Sequence, residues 1–217
     1  MSTYMTETEQ LEEIKKWWLR HQTWITPLLV IILVTITGYR YWNWHVEKTL
    51  VQASITYQNM INATSENKPE NTQSFANLLI KDYPKTVYAA SAHLALSKLF
   101  VENNNLDKAQ AELEAVVTNS KNEALRQIAN LRLSRILIAK KEYDKAFNQL
   151  TLLDNSPYLA LANELRGDIY SEQGRFAEAE KSYNLAKKDT KSASTAMQTF
   201  LEMKSNAVAA AAQSKTA

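Results

Sequence analysis

The sequence predicts an all-α protein in which one transmembrane helix is followed by a solenoid of helical hairpins closed by a C-terminal capping helix. Three observations favour this fold class. The 217 residues include only three Gly and four Pro, too few for the turns of a sheet protein. One segment near the N-terminus is long, apolar and uncharged. Small and aromatic residues recur at a long, regular spacing in the second half.

The uncharged segment runs from His21 to Tyr39 and is about as long as a bilayer is thick. Aromatic residues, which prefer membrane interfaces, flank both of its ends: Trp17, Trp18 and Trp24 on one side, and Tyr39, Tyr41, Trp42 and Trp44 on the other. A cleaved signal peptide would need small residues next, and a helix buried in a soluble domain would need a polar face. Neither feature is present, so the segment is predicted to span the membrane.

Basic residues near the span set its predicted orientation. Lys15, Lys16 and Arg20 precede it, whereas only Arg40 and Lys48 follow. Because basic residues favour the cytoplasmic side, the N-terminus is predicted to be cytoplasmic and the bulk of the chain periplasmic in a bacterial inner membrane. The predicted regions are a short cytoplasmic segment (1–22), a transmembrane helix (23–44), a repeat domain (45–208) and an Ala-rich tail (209–217).

The repeat is clearest near the C-terminus, where its positions are Gly167, Tyr170, Gly174, Phe176, Ala179, Tyr183 and Ala186. This spacing resembles a tetratricopeptide repeat. Gly167 and Ala179 are predicted to be small because two helices cross there, and Gly174 is predicted to make the turn.

Earlier copies place Ala146 and Ala109 in the same register as Ala179, at spacings of 33 and 37 residues. Thr49–Ser65 and Asn71–Tyr83 are interpreted as a further helix pair. Ser192–Val208 is predicted to be the helix that covers the last hairpin. The chain is expected to fray after Asn206.

Several classes of function are disfavoured by composition. Cysteine is absent, only three His occur, and no Gly-rich phosphate loop is present, so neither a metal nor a cofactor is expected and the protein is predicted not to be an enzyme. The net charge of only +2 argues against nucleic acid as a partner.

Hairpin solenoids bind protein partners on the surface formed by the first helix of each pair. The predicted partner-binding residues are those left over after the packing positions are removed: Leu94, Lys98, Val101, Leu131, Arg135, Ile138, Glu164 and Asp168. The alternative that Leu131 and Ile138 are core residues stays open, because aliphatic stripes are usually buried.

The whole chain resembles the YfgM family of bacterial inner-membrane proteins. The likeness is carried by Arg40-Tyr41-Trp42-Asn43, Asn130-Leu131-Arg132-Leu133, Leu165-Arg166-Gly167 and Glu202-Met203-Lys204, together with Ala53-Ser54 and Tyr57-Gln58-Asn59. The resemblance implies an accessory subunit of the SecYEG protein-export channel, with a PpiD-like periplasmic chaperone and emerging secreted chains as further partners. The alternative is a structural scaffold for another envelope complex, including one for envelope-stress regulation.

Overall fold

Nine α-helices make up the regular structure of the computed structural model, which describes residues 7–189 and 195–216. In chain order they are α1 (Glu7–Ser65), α2 (Pro69–Asp82), α3 (Val87–Glu102), α4 (Leu106–Asn119), α5 (Glu123–Ala139), α6 (Tyr143–Thr151), α7 (Leu159–Glu172), α8 (Phe176–Asp189) and α9 (Thr195–Thr216). The chain divides into two units, Met1–Gln52 and Ala53–Ala217. The predicted all-α class is confirmed.

The described part of the first unit is helical throughout and contains the predicted span. Its apolar side chains from Leu28 to Ile36 are exposed, as lipid contact requires. The hydroxyls of Thr35 and Thr37 donate to the carbonyls of Ile31 and Leu33 at 2.8 and 2.7 Å, so these polar groups are satisfied within the helix. Among the described residues, α1 alone is long and apolar enough to cross a membrane.

The second unit contains four helical hairpins: the end of α1 with α2, α3 with α4, α5 with α6, and α7 with α8. Each hairpin turns at a residue with positive φ, namely Asn67 (56°), Asn104 (57°), Lys141 (62°) and Gly174 (71°). After each of these residues, a backbone N–H donates to the carbonyl five residues earlier, at 2.8 to 2.9 Å. The same left-handed cap therefore ends the first helix of every hairpin.

A small buried residue occupies one equivalent position, five residues after the turn, in the second helix of each hairpin. Ala109, Ala146 and Ala179 are all 0% exposed, and the register predicted for them is confirmed. In the first hairpin this position is occupied by Thr72, which is 4% exposed, and the buried Ala76 lies one turn further along α2. Around these residues lies a core rich in Leu, continuous from α3 to α7, with smaller clusters at both ends of the second unit.

Gly167 in α7 lies against the ring of Tyr183 in α8. A Cβ atom on Gly167 would lie 2.6 Å from Cδ1 and 2.9 Å from Cζ of this ring. Both distances are below ordinary carbon contact. The prediction that Gly167 is small because two helices cross there is confirmed.

Two boundaries differ from the sequence-based expectation. α1 runs without a break through residues 44–49, because no helix-breaking residue lies there. α9 is helical to Thr216 and buries Val208, so the fraying expected after Asn206 is not seen. Alanine is the strongest helix former, which explains the extension. The expected start of the last helix at Ser192, and residues 1–6 of the N-terminal segment, lie outside the described residues.

Candidate protein-binding groove

A groove of about 460 Å³ opens between α3 and α5, the first helices of the second and third hairpins. These helices contribute the exposed residues, and α4 contributes part of the apolar floor. The lining residues are Ser97, Lys98, Val101, Glu102, Leu106, Leu113, Arg132, Arg135, Ile136 and Ala139. The predicted residues Lys98, Val101 and Arg135 are thus brought together here.

The groove has an apolar floor and a cationic rim. Lys98, Arg132 and Arg135 carry three positive charges, against one negative charge on Glu102. The Lys98 ammonium is 3.6 Å from the Glu102 carboxylate, and both side chains are exposed. This ion pair therefore contributes little to stability. The Arg132 guanidinium donates a long hydrogen bond, of 3.5 Å, to the Leu94 carbonyl. The cations therefore remain available to an anionic partner.

Three aliphatic members of the predicted set, Leu94, Leu131 and Ile138, lie outside the groove. Leu94 and Leu131 are 8% and 6% exposed and belong to the core, against which Ile138 packs. Leu131 and Ile138 therefore follow the alternative stated from the sequence, in which they are core residues. Such residues support the helices on which the groove is built, and they offer little surface to a partner.

Glu164 and Asp168 form an internal ion cluster with Lys204 of α9. The Lys204 ammonium is 2.8 Å from Glu164 Oε1 and 2.8 Å from both oxygens of Asp168. The Tyr183 hydroxyl also donates to Asp168, at 2.7 Å. Burial raises the pKa of that hydroxyl above its ordinary value, and the bond to Asp168 raises it further. These carboxylates are therefore occupied within the chain.

Four lining residues were missed as site residues by reasoning from sequence, namely Glu102, Arg132, Ile136 and Ala139. Arg132 was assigned only to the family resemblance, although it lies one turn before Ile136 on α5. Ala139 was overlooked as well, yet it lies 37 residues after Glu102, the spacing that relates Arg135 to Lys98. Applying the repeat offset to every exposed position of α3 would have found it.

The described residues show no group of three or more His, Asp or Glu side chains able to hold a metal ion. His93 instead pairs with one carboxylate, that of Glu112, at 2.6 Å. The chemistry that the groove offers is thus apolar contact and attraction of negative charge.

A model of the tetratricopeptide repeat-like domain family matches residues 15–210. The chain belongs to this family. Three relatives, each named "Ancillary SecYEG translocon subunit", extend the comparison. The Escherichia coli strain K12 protein is 30% identical over 80% of this chain and 84% of its own length.

The Haemophilus influenzae relative is 28% identical over 95% of this chain and 99% of its own length. The Neisseria gonorrhoeae relative is 26% identical over 86% of this chain and 90% of its own length. The similarity thus extends over most of this tetratricopeptide repeat-like chain, and the resemblance to the YfgM family is confirmed.

Proposed function

We propose that this protein is a membrane-anchored, non-catalytic accessory subunit of the SecYEG protein-export channel. The observation that supports the proposal is similarity, over 80% and 95% of this chain, to two relatives that bear this name. The candidate span found among the described residues agrees with a location in the inner membrane. The excess of Lys and Arg before the span favours a periplasmic repeat domain.

The groove between α3 and α5 is the proposed partner site. Its apolar floor would bury apolar side chains, and Lys98, Arg132 and Arg135 would pair with carboxylates. A protein segment with both features fits this surface, and we assign it to a PpiD-like chaperone or to an emerging secreted chain. Binding by the groove alone is expected to be weak, because ten residues line it, whereas a stable interface involves about 20 to 30 residues on each side.

The anchor compensates for weak binding by confining the repeat domain and a membrane-bound partner to one plane. Tethering raises the effective concentration of a partner, to about millimolar for short linkers, without adding contacts. Removing the anchor is therefore expected to weaken association even when the groove is intact.

Site-specific photocrosslinking in cells tests both parts of the proposal. Probes at Lys98 and Arg135 are expected to capture subunits of the export channel or a periplasmic chaperone, whereas a probe at the exposed Lys181 of α8 serves as the control. A secreted version beginning at His45 should give far fewer adducts. Equal adducts with and without the anchor would contradict the tethering argument.

Charge reversal separates the groove from the anchor. The double variant Lys98→Glu, Arg135→Glu should lose co-purification with the partner in mild detergent, and Lys181→Glu should retain it. If the double variant still co-purifies with the partner, the groove is not the partner site. Consistent capture of other envelope proteins, with none from the export machinery, would favour the scaffold function instead.

A further inference from the structure

The outer face of α9 carries an apolar stripe made of Phe200, Met203, Ala207 and Ala210. Their spacing of three and four residues places all four on one side of the helix. Phe200 is 41% and Met203 is 58% exposed, and both alanines are exposed. The helix that closes a solenoid normally presents a polar outer face, so this stripe is a candidate interface.

The opposite side of α9 already packs against the repeat domain. Leu201 and Val208 are buried there with Tyr183 and Ala186 of α8. The exposed stripe is therefore not needed to hold α9 in place. The Lys204 ammonium lies 4.7 Å from the centre of the Phe200 ring, which positions this ring on the helix surface.

Side-chain size changes along the stripe in one direction. The bulky Phe200 and Met203 lie in its N-terminal half, and the small Ala207 and Ala210 lie in its C-terminal half. A second α9 in antiparallel orientation would place Phe200 opposite Ala210 and Met203 opposite Ala207. Each bulky side chain would then fill the space above a small one. A parallel pair would oppose bulky to bulky and small to small.

The charges in and beside the stripe also favour a second copy of the protein, rather than a lipid surface, as the partner of the stripe. The stripe contains no ionised residue, and the adjacent Thr199 and Asn206 are uncharged. Lys204 is engaged with Glu164 and Asp168, so pairing would bury no uncompensated charge. Helices that lie on membranes instead carry several free cations beside their apolar face.

We propose that the protein forms a two-fold symmetric dimer through antiparallel pairing of its α9 helices. The surface is self-complementary, as an isologous interface requires. A single helix pair is a small interface, below the range of about 1,200 to 2,000 Å² that is usual for stable complexes. The dimer therefore depends on confinement of both copies to one membrane.

Disulfide crosslinking of the full chain in native membrane vesicles tests the proposal, and the absence of cysteine from the sequence makes it direct. Two differently tagged chains, Phe200→Cys and Ala210→Cys, are co-expressed and mildly oxidised. Antiparallel pairing brings these positions together, so mixed dimers should form. Two copies of Phe200→Cys would lie about 15 Å apart along the helices, at 1.5 Å per residue, beyond the reach of a disulfide.

A variant and a control complete the test. Adding Met203→Glu to both chains should reduce the mixed dimer at least tenfold while leaving the thermal melt unchanged, because position 203 is exposed. The exposed Glu180→Cys should give only background crosslinking. Self-crosslinking of Phe200→Cys at the level of the mixed pair would overturn the antiparallel dimer. The antiparallel dimer would also be overturned if no mixed dimers formed, including the case in which α9 crosslinks to a different protein.

Discussion

Replacing Gly167 with Ala tests the close crossing of α7 and α8 in the repeat domain. The new Cβ would lie 2.6 Å from Cδ1 of Tyr183, about 1 Å inside an optimal carbon contact. The ring has little freedom to retreat, because it is 3% exposed and its hydroxyl is bonded to Asp168. Overpacking of this kind costs about 1 to 3 kcal/mol.

A second effect has the opposite sign. Alanine is favoured over glycine inside a helix by about 1 kcal/mol. In the wild-type background, Gly167→Ala is therefore expected to lower the free energy of unfolding by about 1 kcal/mol. In a Tyr183→Val background the clashing ring atoms are gone, so the same substitution should raise the free energy of unfolding by about 1 kcal/mol.

Urea unfolding of the full chain in detergent, followed by circular dichroism, measures this double-mutant cycle. Gly38→Ala is the matched control, because nothing lies within 4 Å of a Cβ at that position. It should leave the repeat-domain transition unchanged. An identical effect of Gly167→Ala in both backgrounds would show that Gly167 and Tyr183 do not compete for space, and would refute the reasoning.

Four further predictions follow from the structure. Lys141→Gly should stabilise the domain by about 0.5 to 1 kcal/mol in a thermal melt, because the left-handed conformation disfavours side chains; a lower melting temperature would contradict this. Ala146→Leu and Ala179→Leu should each destabilise it by about 1 to 3 kcal/mol or more, and unchanged melts would show the register to be misplaced. A reporter active only in the periplasm, fused after the last residue, should be active; activity of a cytoplasmic reporter alone would reverse the orientation. Hydrogen bonds from Lys145 and Lys140 lower the pKa of the Glu142 carboxyl. The ionised Glu142 therefore stabilises the folded state at pH values above the ordinary pKa of a glutamate, and this stabilisation is lost as the pH falls through the lowered pKa. Glu142→Gln should accordingly be less stable than wild type at neutral pH, and the difference should shrink as the pH falls below the ordinary pKa of a glutamate, about 4.3, as urea unfolding at neutral and at acidic pH would show.

The hairpins could be predicted from sequence wherever their packing demands small residues. Ala109, Ala146 and Ala179 revealed the register because a close crossing excludes larger side chains. The turns were harder to recognise, since only Gly174 is a glycine, the residue that a left-handed cap favours most, with asparagine second. Asn67, Asn104 and Lys141 adopt the same conformation, and asparagine and lysine also occur commonly in helices and loops.

The groove was predictable in part for the same reason. Lys98 and Arg135 occupy equivalent positions on two neighbouring first helices, so the repeat spacing brings them together. Asp168 occupies the next equivalent position, but its environment depends on Lys204, 36 residues later in α9. Periodicity within the repeats cannot predict a pairing with a helix beyond them.

The continuity of α1 bears on how this protein is degraded. Proteases cut extended, exposed segments most readily, yet the described chain has no loop where the two units meet at Gln52 and Ala53. Cleavage there would require unwinding a helix whose next turns bury Ala53 and Met60. Shedding of an intact repeat domain from the membrane is thus disfavoured, and turnover should remove anchor and repeats together.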